Sequence, residues 1–227
     1  MTRQVRGFVF LARLCSGDGM KFLFSLFAGL FFLTSSAGAQ EAATNILAPD
    51  ALIKEVTEEV LSIVRQNREV IQSGNTQKVM ALIYDKVVPH FNFQRMTNLA
   101  MGRDWREANP EQRQRLTEEF KTLMIRTYSN ALSGYRDQTF RYRPFRMQPA
   151  DTSVIVRTEV VQPGSQPIQV EYSLMKQDNG WKVYDVVVAG VSLVTNYRTT
   201  FNQEVRANGI DGLIRMLADR NRQLEAS

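Results

Sequence analysis

From Pro49 onward apolar positions recur with the period of an amphipathic helix, with Leu52, Ile53, Val56, Val60, Ile63 and Val64 on one face. Pro49 suits the first helical position, where a missing N–H costs nothing. Gly74-Asn75 ends that helix and opens a second, which carries Val79, Leu82, Ile83 and Val87 on its apolar face and stops at Pro89. A short third helix has Met96, Leu99 and Ala100 on one side and Gly102 as its stop. Asn109-Pro110-Glu111-Gln112 predicts a capped start, with Asn as N-cap and Gln three residues on. The stripe it opens runs through Leu116, Phe120, Leu123, Met124, Thr127, Tyr128, Ala131 and Leu132 to Gly134.

The period then changes to two. Phe140-Arg141-Tyr142-Arg143 alternates aromatic and basic residues. Val154, Val156, Thr158 and Val160 alternate with Ile155, Arg157, Glu159 and Val161; Ile168, Val170, Tyr172 and Leu174 alternate with Gln169, Glu171, Ser173 and Met175. Gln162-Pro163-Gly164-Ser165 and Asp178-Asn179-Gly180 are turns between these runs. A fourth run, Trp181 to Val188, is apolar on both faces around Asp185. Consecutive strands with short turns predict an antiparallel meander. Two helices close the chain, one phased on Val194, Tyr197, Phe201 and Val205, the other on Leu213, Ile214 and Leu217. Helices, then strands, then helices is an α+β order. The expectation is helices packed on one face of a curved four-stranded antiparallel sheet, with an apolar cavity between them.

Ahead of this domain, Lys21 precedes an apolar run from Phe22 to Leu33, about a dozen residues where a spanning helix needs roughly 20. Ala37-Gly38-Ala39 supplies small residues for a signal peptidase. Met20 to Ala39 therefore reads as a cleavable leader, with Met1 to Gly19 as an upstream extension, 40–48 as a flexible lead-in and 49–227 as a single domain. No cysteine follows the run, which excludes a lipoprotein anchor. Four of the 28 Lys and Arg (Arg3, Arg6, Arg13, Lys21) and one of the 23 acids (Asp18) precede Gln40, so the charge beyond it is +2 rather than +5. That mild balance removes the main support for nucleic-acid binding. Cys15, the only cysteine, also lies in the leader, so disulfides are not expected beyond it.

Candidate chemistry is sparse. His90 is the only histidine and follows Pro89 at a helix end, so no histidine triad or histidine-rich metal site can form. There is no glycine-rich phosphate loop and no nucleophile elbow. Asp185 has two readings: a general base in a pocket, with Tyr172 or Tyr184 as partner in an isomerase or hydrolase, or a carboxylate holding the strand-to-helix corner. The large apolar side chains either fill one another or leave a dry cavity. Arg141, Arg143, Arg146 and Arg157, with Arg103 and Arg106, are either a solvated surface or a basic rim for phosphate headgroups or acidic partners.

Five segments carry a family resemblance: Phe91 to Thr97, Leu99 to Trp105, Asn109 to Arg113, Trp181 to Val188 and Gly190 to Arg198. In order and spacing they resemble the MlaC family of periplasmic phospholipid-binding proteins, the toluene-tolerance family, from about Pro49 to Leu217, with Gly209 to Leu213 also fitting. The resemblance implies a non-enzymatic carrier with a cone-like fold related to nuclear transport factors. Its cavity holds acyl chains and leaves the headgroup outside. It implies phospholipid as cargo, no cofactor or metal, no nucleic acid, and a soluble periplasmic monomer. Its partners would be an outer-membrane lipoprotein–porin complex and an inner-membrane MCE-domain protein of an ABC transporter. The candidate tail contacts are then Leu82, Val87, Met96, Leu99, Leu123, Met124, Tyr128, Val154, Val156, Val170, Tyr172, Leu174, Val186 and Val188. The candidate partner or headgroup rim is the six arginines named above.

Overall fold

The capping box at Asn109 forms as its spacing predicts: Asn109 Oδ1 accepts from Gln112 N at 2.8 Å, and Gln112 Oε1 accepts from Asn109 N at 3.1 Å. A computed structural model describes residues 46–69, 76–129 and 138–226, with backbone alone at 76–79 and 129. All described elements belong to one compact unit, Thr44–Ser227. The leader, the Gly74-Asn75 break, the Val79 side chain, Ala131, Leu132 and Gly134 lie outside the described residues.

The helices are α1 (Pro49–Gln66), α2 (Thr76–Lys86), α3 (Phe93–Met101), α4 (Pro110–Ser129) and α5 (Arg198–Ala226). The strands are β1 (Thr139–Tyr142), β2 (Ser153–Val161), β3 (Ile168–Gln177), β4 (Gly180–Val188) and β5 (Val191–Ser192). Short 3₁₀ segments span Val88–His90, Gly102–Arg106 and Thr195–Tyr197. The sheet is a fully antiparallel meander in the order β1-β2-β3-β4-β5.

The expectation of four strands is corrected to five. Ala189 and Gly190 adopt φ of 49° and 82°, the positive values a two-residue hairpin turn requires, and the chain folds back on itself. Val191 then pairs with Val188 and Ser192 with Val187, and Leu193 N donates to Val186 O at 2.8 Å. The apolar character of β4 on both faces also has a local cause. Ser173 pairs with Asp185 but Leu174 pairs with Val183, so Tyr184 is bulged out of the register. The bulge sets Val183 and Val186 on the same face.

The closing helices also differ from the simple expectation. Val194 and Tyr197 precede α5 rather than belonging to it. The two expected segments form one run broken at Gly209, whose φ of 71° and ψ of 179° belong to glycine alone. Among the described residues no helix is long and apolar enough to cross a membrane.

Packing divides into three apolar clusters. The largest joins α3, α4 and α5 around Phe120, whose ring stands edge-on to Tyr197 and Phe201 with centroids 5.2 Å away in each case. Asn221 ties the end of α5 to α4 by donating to Glu119 O at 2.9 Å. In the second cluster, α1 sets Leu52, Ile53 and Val56 against Val154, Val156, Leu174, Trp181 and Val183 of the sheet. The third is small: Ile83 of α2 and Ile125 of α4, with Val87, Val88 and Phe93 around them.

Candidate functional site: an apolar cavity among the helices

Where the three clusters meet they leave a cavity of about 210 Å³. Ile83 of α2 and Met124, Ile125 and Tyr128 of α4 contribute, with Val87 just past the end of α2; Val60 comes from α1, and Phe93 and Met96 from α3. Val88 and Phe91, in the α2–α3 connection, and Leu193 complete the wall beside Val186 of β4. The cavity exceeds the dry engineered cavity of about 150 Å³ that takes benzene, and its surface is almost wholly hydrocarbon and thioether. Such a wall attracts apolar ligands without directional contacts, and its methionines repack readily around different shapes.

Two tertiary contacts build this wall. Asn92 N donates to Val183 O at 2.8 Å and Phe91 bridges Val183 in parallel, laying the α2–α3 connection along the free side of β4. Lys182 Nζ anchors the same connection by donating to Pro89 O at 2.8 Å. His90 sits half-buried in this turn, its pKa lowered by burial and then by the Lys182 charge. It lines nothing.

The predicted tail contacts separate by place. Val87, Met96, Met124, Tyr128 and Val186 line the cavity. Val154, Val156, Tyr172 and Leu174 face α1 instead, which occupies that part of the sheet. Leu123 is in the helical core, and Leu99 packs on it. Val170 is buried, Leu82 and Val188 half-buried, and none of the three lines the cavity. Sequence reasoning passed over seven lining residues. Ile83 and Val60 were on predicted apolar faces, and Phe91, Phe93 and Leu193 lay in the resemblance segments. Val88 and Ile125 had no such signal, because only the packing of α2 on α4 turns them inward.

The six arginines divide as well. Arg141, at 3.1 Å, and Arg143 both ion-pair with the buried Glu159, and Arg157 pairs with Glu171 at 2.6 Å. Arg103, Arg106 and Arg146 are exposed, with no acidic partner among the described residues.

Asp185 lies outside the cavity. Its carboxylate accepts from Val186 N at 2.8 Å and from Ser192 Oγ at 2.8 Å, and Ser192 Oγ in turn accepts from Thr195 N at 2.9 Å. This network fastens β4 to β5 and to the start of the closing helices. The Tyr184 hydroxyl lies 3.1 Å from Ser153 Oγ, and Tyr172 faces α1, so neither is placed as an acid/base partner in the cavity. Burial raises the Asp185 pKa, and the Ser192 and backbone hydrogen bonds oppose that rise. A raised folded value means the carboxyl's contribution is whole below its unfolded pKa and is lost as pH rises through the folded one. Urea unfolding should therefore show Asp185→Asn gaining on the native chain as pH rises from acid to neutral. The opposite trend would contradict the burial argument. Asp185→Ala, which leaves the Ser192 hydroxyl and Val186 N–H without their acceptor, should cost about 1–3 kcal/mol.

A model of the MlaC protein family matches residues 54–219. The intermembrane phospholipid transport system binding protein MlaC of Haemophilus influenzae is 22% identical over 191 residues, 83% of this chain and 89% of that protein. The toluene tolerance protein ttg2D of Pseudomonas putida is 27% identical over 165 residues, 72% of this chain and 75% of that protein. Among solved structures, a phospholipid-binding protein from Ralstonia solanacearum in complex with a phospholipid superposes with a TM-score of 0.72 at 39% identity, covering 79% of this chain and 99% of that one.

Proposed function

Because the chain belongs to the MlaC family, we propose that its apolar cavity receives the acyl chains of a phospholipid, which the protein carries between membranes as cargo. One observation carries this reading: the wall offers nearly unbroken hydrocarbon where an enzyme would present convergent polar groups. The family is one of lipid carriers, not enzymes. The finer picture follows the family: a cone-like domain, exported by cleavage after Ala39, works in the periplasm. It exchanges lipid with an outer-membrane lipoprotein–porin complex and with an inner-membrane MCE-domain transporter. Of the six candidate arginines, Arg103, Arg106 and Arg146 are the ones left without an acidic partner among the described residues and so most open to headgroups or partners.

The energetics suit a carrier. Burying an acyl methylene is worth ~0.8 kcal/mol, so two ordinary chains represent roughly 20 kcal/mol against water. A bilayer offers about the same, so cavity and membrane are nearly balanced and partners can decide loading. Organic extraction and native mass spectrometry of protein purified from cell envelopes should reveal bound phospholipid at near-stoichiometric level. Repeated lipid-free preparations from envelopes rich in phospholipid would remove the carrier reading.

A further inference from the structure

The cavity is distinguished by its size as well as its chemistry. It measures about 210 Å³. A dry engineered cavity of about 150 Å³ takes one benzene molecule, so this one has room for a ring with two small substituents, on the order of eight carbons. Its wall offers such a ring more than room. Phe91 and Phe93 line it side by side, their ring planes 27° apart and their centroids separated by 5.9 Å. An aromatic guest extends such a pair, by offset stacking or edge-on contact, with a gain beyond the area it buries. Met96 and Met124 line the same cavity, and thioether sulfur packs favourably against ring edges. None of these contacts needs a hydrogen-bonding group, and the wall supplies almost none. A rigid ring also has no internal rotations to lose on entry, unlike a flexible chain.

We propose that the cavity is also a binding site for small monocyclic aromatic hydrocarbons, from benzene to xylene in size, one molecule at a time. This is a second ligand class for the cavity and does not require lipid to be the cargo. Where lipid tails occupy the same volume, as the carrier reading has it, ring and tail exclude each other.

The test is a titration of delipidated native protein, labelled with carbon-13 at the methionine methyl groups and followed by NMR, so it depends on no variant. Met96 and Met124 report on the wall. Met101, buried in the helical core away from the cavity, and the exposed Met147 are internal references. Benzene and p-xylene should move the Met96 and Met124 resonances saturably and leave Met101 and Met147 in place. Half-saturation should fall near roughly 0.3 mM for benzene and about fourfold lower for each added methyl group, each buried carbon counting as an acyl methylene does. The larger 1,3,5-triethylbenzene should give no saturable shift, whereas simple partition into an apolar interior would strengthen steadily with size. No saturable shift with either small ring would overturn the assignment. So would tighter binding of triethylbenzene than of p-xylene, or reference methionines that move along with the wall. Repeating the titration on protein reloaded with phosphatidylcholine separates this inference from the carrier reading. A lost response means that tail and ring share the cavity; an undiminished response upholds this inference and removes the cavity from the carrier reading.

Discussion

Val186→Trp should yield a folded protein that binds lipid about a hundredfold more weakly than the native chain and loses lipid on purification. Val186 is the one strand residue in the described cavity wall, and it is only half-buried, so an indole there can grow into open volume instead of into packed core. Each methylene it displaces forfeits ~0.8 kcal/mol, and excluding about four of them amounts to ~3 kcal/mol, a hundredfold in affinity. The backbone at Val186 stays paired with Tyr172 and with Leu193 N, so the sheet has no reason to come apart. Ile155→Trp, at an exposed sheet position, is the control and should leave lipid content unchanged. Lipid phosphorus measured on both purified variants, beside their circular dichroism, decides the matter. Full lipid occupancy in Val186→Trp would mean that the tails lie elsewhere.

Phe120→Ala should have the largest effect on stability, and for a different reason. Phe120 has no exposed surface and sits between Tyr197 and Phe201, joining α4 to the closing helix. Truncating a fully buried phenylalanine costs about 3–5 kcal/mol, because the space left collapses only in part. A domain of this size has a total stability of about 5–15 kcal/mol, so Tm should fall by roughly 6–20 °C. Calorimetry on delipidated protein isolates that loss from the contribution of bound ligand. A shift of only a degree or two would show that α5 is not a structural brace of the cavity wall. The two substitutions separate the roles of the two apolar systems: one alters cargo at constant fold, the other fold around a cavity whose wall is unchanged in composition.

Most of the secondary structure could be read from short windows of sequence, because its causes are local. The Asn109–Gln112 capping box needs only the side chains within one helical turn, and the alternation in β2 and β3 needs only the pleat. The resemblance segments likewise led to the family. The cavity was harder. Periodicity reports that Val154 and Val156 share one face of β2, and Val170, Tyr172 and Leu174 one face of β3, but not what meets those faces. It assigns no face to Val186, in a run apolar on both sides. Only the folded chain shows α1 covering Val154, Val156 and Leu174, while Val186 stays beside the open volume.

What the sequence by itself determined is therefore which residues are apolar, in what period, and where the chain must turn. The tertiary structure decided which apolar surfaces meet and which are left facing space. Phe91 lines the cavity because Asn92 bonds to Val183, some ninety residues away, and Asp185 holds a corner because Ala189 and Gly190 bring Ser192 back to it. Both depend on long-range pairing, whose free energy comes from surfaces that become neighbours only on folding. A cavity is the region those pairings leave unfilled, so it cannot be read from any one segment that borders it.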